Sequence, residues 1–173
     1  MIGASADSDG TLLESIVERM SPDARRRARF VTFGGAATGA YEVAGVPAFR
    51  AGVVDDIHPA LAGVDVMVHL ATTEGVGTAL IDAMALGVPP VTFAMPGFTA
   101  FVDPGRTGVV VPPGDIGGFA DALSHIILAD TERRTLATRG PERSARFSVE
   151  RMVERVEQEY RRALVQHERM SPR

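Results

Sequence analysis

The chain has 173 residues, 45% of them hydrophobic, which suits one domain with a packed core. Its net charge of −4 lacks the basic excess of a nucleic-acid-binding protein, and with no cysteine it has no disulfide, thiol nucleophile or thiolate metal site. His58, His69, His125 and His167 have no metal-ligand spacing, so no metal site is expected. No apolar run of about 18 residues occurs, and Met1 to Asp7 has neither the basic start nor the apolar core of a signal peptide; a cytoplasmic chain without a transmembrane segment is expected.

Residues 1–10 read as a strand exit and a loop. Apolar residues at 12, 13, 16, 17 and 20 have a helical period, with Thr11 as N-cap, and Ser21-Pro22-Asp23 starts a further turn or short helix. Arg25, Arg26, Arg27 and Arg29 read as a solvated helix face before a strand, Phe30 to Phe33. Gly34 to Gly45 reads as a loop with one helical turn near Tyr41. Val46 to Val54 is a strand, and Asp55 caps a helix from Asp56 to Leu61 whose Pro59 is allowed in the first turn.

An apolar run from Val64 to Leu70 leads through Glu74-Gly75-Val76-Gly77 into a helical pattern that stops at Gly87. Pro90 to Ala94 is a short strand feeding a loop, Met95 to Thr99, and Val109, Val110 and Val111 fit a last strand covered on both faces. Ile116 to Leu128 is a helix, Thr131 to Thr138 a short one, and Ser148 caps a terminal amphipathic helix within residues 147–173. Its stripe of Val149, Met152, Val153, Val156, Tyr160 and Leu164 reads as a docking face. Strands near 30–33, 47–54, 64–71, 90–94 and 108–112, alternating with helices, predict a single α/β domain over 1–173, a doubly wound parallel sheet with helices on both faces.

A buried strand, a glycine loop and a helix N-terminus in that order form an anion site, because the first helical N–H groups lack intrahelical acceptors and the macrodipole is positive there. Two carboxylates frame it, Glu74 before the loop and Asp82 in the helix. If the helix begins near Gly77, Asp82 lies about 7–8 Å along its axis at about 1.5 Å per residue. That is the reach from a diphosphate to a ribose, and a carboxylate suits a vicinal diol. Glu74 faces what lies beyond the diphosphate, which in a nucleotide-sugar is the hexose.

The run Val64 to Val91, with Glu74, seven residues and Asp82, resembles the donor-binding segment of the retaining GT-B glycosyltransferases of the glycosyl transferases group 1 (family 4) type, related to glycogen and sucrose synthases. Asp103-Pro104-Gly105-Arg106-Thr107-Gly108 and the following Val-rich strand to Asp115 resemble that family's next signature, and Arg146-Phe147-Ser148 its closing one. Three motifs in register cover roughly Ala48 to Leu164. Asp82 stands where the family usually has Glu, and Ala100 where it often has Glu.

The resemblance implies a Rossmann-like donor domain, one half of a GT-B fold, that lacks the acceptor domain and is incomplete at its N-terminus, its first strand and helix missing. It implies transfer of a sugar from a UDP- or GDP-sugar to an acceptor hydroxyl with retention, without metal or other cofactor. Glu74 would hold sugar hydroxyls as the catalytic residue; Gly75, Val76, Gly77, Thr78 and Ala79 would hold the diphosphate, Asp82 the ribose and the backbone near Val54 the base. The partners implied are the donor, a hydroxyl acceptor, and an acceptor-domain subunit or a second copy of the chain. The family places an Arg and a Lys after the first donor-domain strand; here no counterpart is expected, so the chain alone should bind donor weakly and transfer little. Two other classes stay open: a non-catalytic nucleotide-binding or interaction module descended from such an enzyme, and a dinucleotide oxidoreductase. The second fits poorly, since Leu80 fills the third glycine position of a Gly-x-Gly-x-x-Gly loop.

Overall fold

The computed structural model describes residues 2–5, 10–71 and 77–170. Its strands are β1 (Ile2–Ser5), β2 (Phe30–Phe33), β3 (Gly39–Val43), β4 (Val46–Gly52), β5 (Val66–His69), β6 (Pro90–Phe93) and β7 (Val109–Val111). They form one sheet in the order β3-β4-β2-β1-β5-β6-β7, parallel throughout except for the β3–β4 pair. The helices are α1 (Thr11–Arg19), α2 (Pro22–Arg27), α3 (His58–Ala62), α4 (Thr78–Ala85), α5 (Pro96–Thr99), α6 (Ile116–Leu128), α7 (Asp130–Ser144) and α8 (Val149–Met170).

Every residue of β5 and β6 is buried, as expected of apolar strands covered on both faces. The two-residue period of a strand divides β5 between the layers. Val66 and Val68 pack in the core that holds Ile16 and Val17 of α1 and Phe119, Leu123 and Ile126 of α6. Met67 points the other way, into a cluster with Leu61, Val64, Ala83 and Val88. Helices therefore cover both faces, as the alternation of strand and helix predicts.

Several sequence-based expectations need correction. Residues 1–10 were expected to hold only a strand exit and loop, with a first strand and helix missing. Instead Ile2–Ser5 is a strand in the middle of the sheet, paired with β2 and β5, and α1 follows it. Four residues, three of them small (Gly3, Ala4 and Ser5), carry too little hydrophobic pattern to be recognised as a strand; the two flanking partners make it one. The stretch 34–45 contains β3, not a helical turn. Its antiparallel return to β4 runs through Ala44 and Gly45, both at positive φ (47° and 75°), the backbone that a two-residue hairpin turn needs. Ala-Gly is a weak turn signal, and a side-chain hydrogen bond from Arg25 to the Ala44 carbonyl helps to hold it.

Asp55 does not cap the helix before Leu61: α3 starts at His58, and Asp56 accepts from the His58 N–H at 3.0 Å. Residues 96–99 form a one-turn helix, with Pro96 in its first turn, in place of the expected loop. Strand β7 lies at the sheet edge, so Val109 and Val110 are only half-buried and Val111 alone is buried. Helix α7 continues to Ser144 through Gly140 and Pro141, well past the expected end at Thr138. Helix α8 spans 22 residues, and its apolar stripe is exposed, not docked. The arginine cluster behaves as a solvated face: Arg26 pairs with Asp23, and Arg27 with Asp130 at 3.2 Å.

Gly140 explains why α7 runs on. A Cβ there would lie 2.6 Å from the Met84 carbonyl oxygen, so α7 crosses α4 backbone to backbone. Gly140→Ala is expected to lower the melting temperature although Ala favours a helix by about 1 kcal/mol, because overpacking costs about 1–3 kcal/mol. Thermal unfolding followed by circular dichroism checks the sign, and a rise would show that the helices separate freely.

Candidate donor-nucleotide site

The sheet order reverses between β1 and β5. From β1 the chain steps outward through β2 to β4, then returns to β5 on the other side of β1 and steps outward again. Open α/β sheets bind ligands in the crevice beyond the carboxyl ends of strands at such a point. Strand β5 ends at His69 beside this point, and the described chain resumes at Gly77, the start of α4.

Gly77 is the N-cap of α4, in the left-handed region at φ 64°, ψ 28°, with no side-chain cap and no acidic residue in the first turn. Its lack of a Cβ matters sterically too, since a Cβ would stand 2.9 Å from Cδ1 of Phe98. Thr78 is exposed and Ala79 half-buried at the start of the helix, while Leu80 and Met84 are buried with Phe98 and Val102. Asp82 is half-buried one turn further on. Glu74, Gly75 and Val76 lie outside the described residues. Val54 is half-buried just beyond β4, on the segment that leads to α3.

Two of the expected site segments meet at His58. Its Nδ1 lies 2.7 Å from Asp56 Oδ1 and its Nε2 3.7 Å from Asp82 Oδ1, so the imidazole bridges the segment after β4 to α4. The hydrogen bond to Asp56, then the charges of Asp56 and Asp82, raise the His58 pKa above its ordinary value. The hydrogen bonds from His58 in turn lower that of Asp56. In the sequence, only the place of His58 beside Pro59 at a helix start points to it.

Beneath the mouth, buried His69 meets the Phe98 ring edge-on with centroids 4.6 Å apart, and Nδ1 lies 3.5 Å from Thr92 Oγ1. Burial depresses its pKa, which favours the neutral imidazole. Phe98 in turn lies against Gly77, so His69 and Phe98 pack beneath the start of α4. Among the described residues no group of three His, Cys, Asp or Glu side chains is placed to hold a metal ion. None of the described helices is long and apolar enough to cross a membrane.

The other two motifs meet at Arg143, next to the cluster of Leu80, Met84, Phe98 and Val102 against which Phe101 packs. Arg143 donates to the carbonyls of Phe101 (2.8 Å) and Ala100 (2.6 Å) and pairs with Asp103 at 3.2 Å. Phe101 packs edge-on against Phe147 with centroids 4.9 Å apart. Thr107 is buried and accepts from the Asp103 N–H at 3.0 Å, closing the turn before β7. These residues brace the turn and the C-terminal segment. Exposed Ala100 supplies a carbonyl to the brace.

Ala6-Asp7-Ser8-Asp9 lies outside the described residues, but in sequence no Arg or Lys occurs before Arg19, at the far end of α1. Although β1 is present, the Arg and Lys that the resemblance calls for after a first strand are not.

Comparison with known proteins agrees with this architecture. The lipopolysaccharide core biosynthesis glycosyltransferase LpsE of Rhizobium meliloti is 38% identical over 92 residues, covering 53% of this chain and 27% of that protein. A D-inositol 3-phosphate glycosyltransferase of Mycolicibacterium smegmatis is 32% identical over 101 residues, covering 58% and 23%. Among solved structures, Anabaena Alr3699/HepE in complex with UDP-glucose superposes with a TM-score of 0.75 at 18% identity, over 92% of this chain and 48% of that one. Sucrose-phosphate synthase from Thermosynechococcus elongatus gives 0.75 at 25% identity, over 95% and 45%. The chain thus spans about a quarter of these curated relatives and about half of these solved chains. The fold is that of one half of a GT-B glycosyltransferase, and the model of the glycosyl transferases group 1 family matches residues 7–129: the chain belongs to that family.

Proposed function

We propose that this chain is the donor-binding part of a retaining glycosyltransferase and holds a UDP- or GDP-sugar at the mouth of α4. The observation that carries the reading is the left-handed, uncapped Gly77 at the carboxyl end of the sheet's switch point, with Asp82 one turn into the helix. Amides of residues 76–79 hold the diphosphate and stabilise the charge that grows as it departs, which places the leaving group on a helix N-terminus and needs no metal. Glu74 holds sugar hydroxyls, Asp82 the ribose and the backbone at Val54 the base. The complexes of HepE with UDP-glucose and of pneumococcal GtfA with UDP and GlcNAc support a uridine nucleotide. Transfer requires an acceptor half that positions the hydroxyl, from the rest of a longer chain or a partner.

In the complete enzyme or a reconstituted pair, Glu74→Ala and Asp82→Ala are each expected to cut activity at least tenfold. Unchanged activity in both would remove these residues from the site.

A second reading is a non-catalytic nucleotide-binding or interaction module, favoured by the absence of any basic residue before Arg19. It differs in having no turnover when an acceptor half is supplied. Thermal stabilisation by UDP, GDP and NAD separately tests the ligand class, and a preference for NAD would overturn both readings.

A further inference from the structure

We infer that His58 is a positioning residue for the donor, an imidazolium that clamps Asp82 of α4 to Asp56 and so presents the Asp82 carboxylate to the nucleotide ribose. The inference rests on the reading of Asp82 as the ribose contact and adds a residue that this reading does not contain. Its basis is the chain of contacts Asp56 Oδ1 to His58 Nδ1 at 2.7 Å and His58 Nε2 to Asp82 Oδ1 at 3.7 Å. The Asp56 oxygen that meets Nδ1 also accepts the His58 backbone N–H at 3.0 Å, so two contacts hold the Asp56 carboxylate at the start of α3. Both ring nitrogens therefore face carboxylates. Only the protonated imidazolium both donates from Nδ1 to Asp56 and carries the charge that pairs Nε2 with Asp82 across 3.7 Å; a neutral ring bonded to Asp56 turns an Nε2 lone pair toward the second carboxylate.

The consequence for Asp82 follows from its exposure. A partly exposed carboxylate on a helix surface samples several rotamers, and a ligand that binds it must bear the cost of ordering it. An imidazolium 3.7 Å from Oδ1 favours the rotamer that keeps the ion pair and leaves both carboxylate oxygens to accept from a diol. Among the described residues, the charged groups that act on His58 are Asp56, in the turn before α3, and Asp82, on α4. Both favour the protonated ring, so the clamp is closed below the ordinary histidine pKa and opens as pH rises through the raised value. The same contact adds an ion pair to the packing of α3 on α4 that Ile57, Leu61, Ala79 and Ala83 already make.

The test is a ligand-observed NMR titration of the full chain with UDP-glucose from pH 5.5 to 8.5, where its diphosphate is fully ionised. Melting temperatures of each variant confirm folding. For the natural chain affinity should fall about two- to fivefold as pH rises, the scale of an exposed charge pair. His58→Gln should be flat with pH, at the weak, high-pH level, and Asp56→Asn should lose most of the slope. Asp82→Asn should bind weakly at every pH. If His58→Gln keeps the natural slope, or if natural affinity rises with pH, the clamp is wrong while the ribose assignment stands. If UDP-glucose does not bind, or Asp82→Asn binds as the natural chain does, the donor-site reading itself fails and takes the clamp with it.

Discussion

Phe98→Ala is expected to unfold the chain at a melting temperature roughly 6–20 °C lower than the natural sequence. Phe98 is buried, and it packs with Leu80, Met84 and Val102, edge-on against His69 and beneath Gly77. Truncating a buried Phe costs about 3–5 kcal/mol, and about 2–4 °C is lost per kcal/mol in a domain of this size. Phe98→Leu refills much of the space and should cost a minor part of this. A second readout is His69. Its pKa is depressed by burial, so the unfolded chain takes up a proton before the folded one does. Stability is therefore full above the ordinary histidine value and is lost as pH falls from there through the depressed value. In Phe98→Ala, water reaching the ring should move the His69 pKa back toward its ordinary value, which NMR titration of the imidazole measures. A melting temperature within 2 °C of the natural chain would show that Phe98 does not hold this cluster together.

Gly77→Val is the second substitution with a large expected effect, and it acts on binding more than on folding. The backbone at φ 64° is costly for a β-branched residue, about 1–2 kcal/mol, and the new side chain would enter the Phe98 ring 2.9 Å away. Relief requires the mouth of α4 to turn, which withdraws its amides from the crevice. Loss of one such donor costs about 10²–10³ in rate, so the complete enzyme should lose turnover on that scale. The isolated chain should lose nucleotide binding while melting only a few degrees lower. Full turnover in Gly77→Val would show that no diphosphate sits on these amides.

Much of this architecture is legible in the chain because local pattern and tertiary demand agree. The run Val66-Met67-Val68 can only be a buried strand when flanked by turn signals, and β5 is buried at every position. Gly77 followed by apolar residues at helical spacing marks the start of α4, and the structure starts that helix at Thr78. Elements escaped where the signal lay outside their own residues. Strand β1 owes its identity to β2 and β5 on either side, and β3 to β4. Helix α7 crosses Gly140 and Pro141, residues that locally argue for an end, because Gly140 lets it lie against Met84.

The candidate site divides in the same way. Order along the chain was enough to name Gly77, Thr78, Ala79 and Asp82, since a strand, a glycine turn and a helix start are contiguous and their chemistry is local. It was not enough to find His58 and Phe98, which lie some twenty residues away on either side in sequence and reach the mouth of α4 only through packing. By itself, then, the sequence determined the α/β class, the mouth of α4 and the family, because these follow from residue spacing within single segments. The tertiary structure alone decided what stands next to that mouth, because sheet order and helix crossing bring together groups whose separation in the chain carries no record of their contact.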